Sequence, residues 1–198
     1  MLHSRLLKYL DEQEEATGIV PDEKTLVLER FTDELVRRAK DIRLGGPFDD
    51  DAETGALISE AHLQKVTAYV DKAREQGAKI LTGGRAATSE DTNGQHGTGN
   101  TDLGAGIYYL PTIIDGATRE MDCVHDEAFG PTVTIETFTT EEEAIAIAND
   151  TEYGLAGAVY TSDAGRAERV ARALRHGTIW INDFHPYLPQ AEWGGFKQ

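Results

Sequence analysis

The chain has 198 residues, 39% of them hydrophobic and 8% aromatic, with 35 acidic against 19 basic side chains and a formal charge of -16. Such a charge alone would suit a disordered chain, but strong amphipathic stretches mark a globular one, and the length favours a single domain. An acidic surface of this kind repels phosphate backbones and anionic lipid, so neither nucleic acid nor membrane is expected as a partner.

The single cysteine, Cys123, excludes an intrachain disulfide. No apolar run approaches the roughly 18 residues of a membrane helix. With no visible signal peptide, the expected location is the cytoplasm. The acidic excess is open to two readings, solubility at high ionic strength, where salt screens self-repulsion, and an ordinary acidic cytosolic surface.

Residues 1–25 are charged and weakly patterned. A helix then follows, with Val27, Phe31, Leu35, Ala39 and Ile42 stepping by three or four until Gly45-Gly46-Pro47 stops it. A second helix opens after Ser59, an N-cap followed by Glu60, and buries Leu63, Val66, Val70 and Ala73 before Gly77 closes it. Residues 78–82 read as a strand. Residues 83–106 are rich in Gly, Thr, Asn and Asp and have no period, which predicts a surface excursion.

The strand signal resumes at Tyr108–Ile114, where Pro111 requires a sheet edge or a strand end. In residues 132–182 the segments TVTIETF, GAVYT and GTIWIN alternate with two helices, a βαβαβ pattern that calls for a parallel sheet. Thr140 with Glu143 forms a capping box for the first of these helices, and Ser162/Asp163 opens the second, which turns Ala167, Val170, Ala171 and Leu174 inward.

Residues 107–131, IYYLPTIIDGATREMDCVHDEAFGP, resemble the aldehyde dehydrogenase superfamily, and the likeness continues in register through Ala148–Leu155, Gly177–Asn182 and Trp193–Lys197. ERFTDELVRRAKDIRLGGPFDDDAETGALIS and EQGAKILTGG extend it upstream, so it covers residues 26–198, with an echo at Ser4-Arg5-Leu6-Leu7. The tail NDFHPYLPQAEWGGFKQ is most similar to betaine aldehyde dehydrogenases, which oxidise betaine aldehyde to the osmoprotectant glycine betaine.

The resemblance implies an α/β fold, a parallel, Rossmann-like sheet flanked by helices, forming the C-terminal part of a catalytic domain cut short at both ends. It also implies NAD or NADP as cofactor, a small aldehyde as substrate and a homo-oligomeric complete enzyme.

The same resemblance assigns Glu127 to the nicotinamide ribose hydroxyls and Phe129 to the nicotinamide ribose region. His62 and Lys65 fall at positions facing the adenosine half. Trp193, with Tyr187 in the same loop, lines the side that receives a trimethylammonium group. Acceptor-only carboxylates suit hydroxyl donors, and aromatic faces suit a cation that cannot donate a hydrogen bond. Glu192 stands where the family pattern has Pro. Glu127, Phe129 and Trp193 are expected to converge on the rim of one parallel-stranded scaffold.

No catalytic residue is expected within the chain. The thiolate, oxyanion-hole asparagine and glutamate base of the family all align upstream of Met1. Cys123 pairing with His125 as a dyad is disfavoured because side chains two apart diverge. The histidines show no metal-ligand spacing, and the Asp49–Glu53 run reads as a solvated loop. The chain alone is therefore expected to be inactive. The rival readings are a non-catalytic, self-associating module and an unrelated Cys123-dependent hydrolase.

Overall fold

In the computed structural model of the chain, residues 5–8, 22–184, 186 and 188–197 are described, with side chains from residue 28 onward. The chain divides into two compact units, Ser4–Glu136 and the segment from Thr137 to the C-terminus.

The first unit is built on a four-stranded sheet of β1 (Arg5–Lys8), β2 (Lys79–Thr82), β3 (Thr112–Asp115) and β4 (Thr132–Thr137), in the order β1-β4-β3-β2. β2 and β3 run antiparallel, whereas β3 and β4 run parallel with Ile113 opposite Val133. Successive strand side chains face opposite ways, and both faces of β3 are used. Ile113 packs with Ala39 of α1 (Asp22–Asp41), and Ile114 packs with Val66, Val70 and Ala73 of α2 (Glu60–Glu75). The sheet is thus covered by a helix on each side.

The ends of α2 follow from its sequence. Ser59 Oγ accepts from the backbone N–H of His62 at 3.2 Å, satisfying a donor the helix leaves free. At the other end Gly77 adopts φ +106°, and Ala78 N–H reaches back to the Ala73 carbonyl at 3.0 Å.

The first unit also holds the single-turn α3 (Asp122–His125), and the second contains α4 (Glu141–Asn149), β5 (Ala156–Val159), α5 (Ala164–Ala173) and β6 (Thr178–Ile181). β5 and β6 pair in parallel, with Ala158 opposite Trp180. Asp163 caps α5 through the N–H of Arg166 at 3.0 Å. Thr140 caps α4 through the N–H of Glu143, but the Glu143 carboxylate reaches the N–H of Thr139, one residue earlier than a reciprocal box requires.

The α/β class and the strand–helix alternation after Thr132 are as expected, but one parallel sheet through residues 132–182 is not. β4 belongs to the mixed sheet, and β5 and β6 form a sheet of their own. Alternation along the chain sets the order of elements without choosing partners. The β3–β4 ladder starts where the Pro131 carbonyl accepts from Thr112 N–H at 2.8 Å. Pro111 immediately precedes β3, the strand end it required.

Two further departures concern segments without periodicity. Arg5–Lys8, within the weakly patterned N-terminal stretch, is a strand of the main sheet. The excursion at residues 83–106 contains 3-10 turns at Ser89–Asn93 and Leu103–Ala105. Leu103 is fully buried there with Leu44, Ala87, Tyr108 and Leu110. Arg85 grips Asp91 with two 2.8 Å bonds. Side-chain hydrogen bonds, which leave no periodic trace, shape this loop.

Candidate functional site

The segment from Thr118 to Pro131 is held against α2 by a series of side chains. The Tyr69 hydroxyl donates to the carbonyls of Cys123 at 2.9 Å and Asp126 at 3.3 Å, and Thr134 adds a 3.1 Å bond to the former. Gln76 exchanges two bonds with Asp122, donating to its carboxylate at 3.3 Å and accepting from its N–H at 3.2 Å. Lys72 forms an ion pair with the same carboxylate. Where the segment meets the start of α2, Gly130 lies so close that an added Cβ would sit 2.8 Å from Val66 Cγ2.

This grip sets the residues at the end of the segment. Ala128 is buried, Glu127 is half-buried and the Phe129 side chain faces outward with 44% of its surface exposed. Phe129 has φ +56°, a left-handed conformation that few non-glycine residues adopt. Its carbonyl lies 2.8 Å from His62 Nε2.

One oxygen of Glu127, Oε1, is buried without a hydrogen-bond partner among the described residues. Burial pushes its carboxyl above the ordinary glutamate value, and the Lys65 cation partly opposes that shift. His62, Lys65, Glu127 and Phe129 therefore gather on one side of the first unit, around an acceptor that lacks a donor among the described residues.

Trp193 belongs to the second unit. Its ring, 43% exposed, lies 5.8 Å between centroids from Trp180, which in turn lies 5.5 Å from Phe184. The loop carrying Trp193 is anchored on both flanks. Gly154 O accepts from Gly177 N–H and Phe196 N–H, both at 2.9 Å, and Lys197 Nζ donates to the carbonyls of Asn149 and Thr151 at 3.1 and 3.0 Å. Gly177 is required here, because an added Cβ would fall 1.6 Å from Gly194 O. Tyr187 lies outside the described residues.

Sequence reasoning missed Tyr69, Lys72 and Gln76, the residues that grip the segment, and Trp180 and Phe184, the aromatic neighbours of Trp193. The available signals were polar residues flanking the apolar stripe of α2 and a second tryptophan in GTIWIN.

Cys123 is 1% exposed within the main core, while the exposed His125 turns to the Arg119 carbonyl. They form no dyad. Asp49 accepts from Thr98, Asn100 and the N–H of Asp51. Among the described residues no group of three His, Cys, Asp or Glu side chains is placed to hold a metal ion, and no helix is long and apolar enough to cross a membrane.

The model of the aldehyde dehydrogenase family matches residues 23–198. The chain belongs to that family. It is 50% identical over 170 residues to the betaine aldehyde dehydrogenase of Bacillus subtilis, covering 86% of the chain and 32% of that enzyme. It is 41% identical over 168 residues to aminoaldehyde dehydrogenase 1, peroxisomal, of Pisum sativum, covering 85% and 31%. A crystal structure of betaine aldehyde dehydrogenase from Staphylococcus aureus in complex with NAD+ superposes with a TM-score of 0.81 at 42% identity, over 98% of this chain and 33% of the other. The chain spans about a third of the length of the curated relatives it matches.

Proposed function

We propose that residues 26–198 form the C-terminal part of the catalytic domain of an enzyme that oxidises an aldehyde to a carboxylic acid with NAD or NADP, the pair being betaine aldehyde and glycine betaine. The observation that carries this reading is the orphaned oxygen of Glu127. A buried acceptor without a donor is costly, and a carboxylate can only accept. The donors that suit it are neutral hydroxyls, such as the vicinal pair of a nucleotide ribose. The relative solved with NAD+ supports a cofactor of the NAD type.

When bound, the nicotinamide takes up hydride from the substrate. The protein's part is to hold it. Glu127 would accept from the ribose hydroxyls, the exposed Phe129 ring would face the nicotinamide ribose region, and His62 and Lys65 would face the adenosine half. On the substrate side Trp193, and with it Tyr187, offers aromatic faces to a trimethylammonium group, each contributing roughly 0.5–2 kcal/mol.

The chemistry also needs a thiolate, an oxyanion donor and a base. Buried Cys123 cannot reach a substrate, so the 198 residues by themselves are expected to turn over no aldehyde, and the remainder of a complete enzyme supplies these groups. A second reading, a self-associating module, draws on the exposed Ile181, Phe184, Leu188 and Phe196 of the second unit. Sedimentation of the chain across a concentration series tests it.

To test the primary reading, residues 26–198 replace the corresponding segment of the Bacillus subtilis relative. The chimaera is expected to oxidise betaine aldehyde in preference to its uncharged isostere. Trp193→Ala should then erase about 2- to 30-fold of that preference in kcat/KM, the range that one cation–π contact covers. A folded chimaera showing no preference would refute the substrate assignment.

A further inference from the structure

Phe129 stands in a conformation that an aromatic residue rarely takes, φ +56°, between two strongly constrained neighbours. Ala128 before it is buried, and Gly130 after it is pressed against Val66. The Gly130 carbonyl accepts from Thr132 N–H at 2.8 Å, and Pro131 is tied to Thr112. A left-handed residue persists only where its surroundings over-determine it. The remaining free element is the Phe129 carbonyl, and His62 Nε2 lies 2.8 Å from it.

A carbonyl only accepts, so Nε2 must carry the proton, which the neutral imidazole supplies. The donor sits in the first turn of α2, whose backbone is fixed by Ser59. From a backbone position held by the Ser59 cap, the helix therefore presents a side-chain N–H to the peptide that joins Phe129 to Gly130.

We infer that His62 is the positioning residue of this site, acting through the main-chain carbonyl of Phe129 to keep the Glu127 carboxylate turned inward and the Phe129 ring turned outward. Its value for function rests on the reading that Glu127 and Phe129 meet the cofactor. The hydrogen bond itself does not.

The test uses the 198-residue chain with two variants of equal side-chain length, His62→Gln, which keeps an N–H donor, and His62→Met, which has none. Amide hydrogen exchange of residues 127–130 and the titration of the Glu127 carboxyl by NMR are read for each. In His62→Met, exchange at these amides should accelerate at least about tenfold, while amides of Val66–Ala73 keep their rates. The Glu127 titration should move back toward the ordinary glutamate range. His62→Gln should keep the wild-type behaviour in both readouts.

If the two variants behave alike, whether both as wild type or both loosened, the inference is overturned, because length and packing are matched and only the donor differs. Neither readout contains nucleotide or aldehyde. Failure of the substrate assay would leave this result standing, and failure here would leave the oxidation reading intact.

Discussion

Val66 and Gly130 touch so closely that a methyl group added to Gly130 would meet both Val66 γ-carbons at 2.8 and 2.9 Å. The contact joins the core of α2 to the segment that carries Glu127 and Phe129. Gly130→Ala should therefore destabilise the chain by displacing the segment, and Val66→Ala should cost about 2 kcal/mol through lost burial. The two losses should not add, because the second substitution makes room for the first. Urea unfolding of the two single variants and the double variant measures this coupling. Additive losses would show that the segment yields elsewhere.

Glu127 sets a pH dependence whose sign follows from its burial. Its folded pKa is raised above the unfolded value, so between those two values the folded chain holds more protons and stability falls as pH rises. Below the unfolded pKa the penalty is absent, and above the folded pKa it is complete. Glu127→Gln should melt above wild type at pH 7, and the difference should vanish near pH 4, about the unfolded glutamate pKa. Thermal scans at both values check it.

Ser59 holds the helix end from which His62 works. Ser59→Ala removes one cap, worth about 1 kcal/mol, which corresponds to a fall of roughly 2–4 °C in Tm for a chain of this size. Ser59→Asp, which keeps an acceptor and adds charge at the positive helix end, should restore most of it. Scanning calorimetry of the two variants distinguishes a cap from a packing effect.

Cys123 should react with a thiol reagent only as the chain unfolds, since it is 1% exposed and belongs to the main core with Val66, Val70 and Tyr109. The measurement is labelling rate against urea concentration. Fast labelling of the folded chain would reopen its case as a nucleophile.

Elements with local signals were legible in the sequence. The apolar stripe of α2, its Ser59 cap and Gly77 stop, and the Asp163 start of α5 all stand where periodicity and capping put them. What depends on partners was not. Nothing local told β4 to pair with β3 or enrolled Arg5–Lys8 in the sheet. Glu127, Phe129, His62 and Lys65 were singled out through family resemblance alone, since a loop acid has no period. The contacts of Tyr69, Gln76 and His62 with the loop span 46 to 67 residues of sequence, so only the folded chain reveals them.

In the function proposed here, Glu127 offers its carboxylate to the ribose hydroxyls of the nucleotide. The direct measurement is the NAD+ dissociation constant of the chimaera carrying residues 26–198, with and without Glu127→Gln. Charge-assisted bonds of ~1.5–3 kcal/mol predict affinity weakened about 10- to 150-fold. An unchanged dissociation constant in a folded, NAD+-binding chimaera would contradict it.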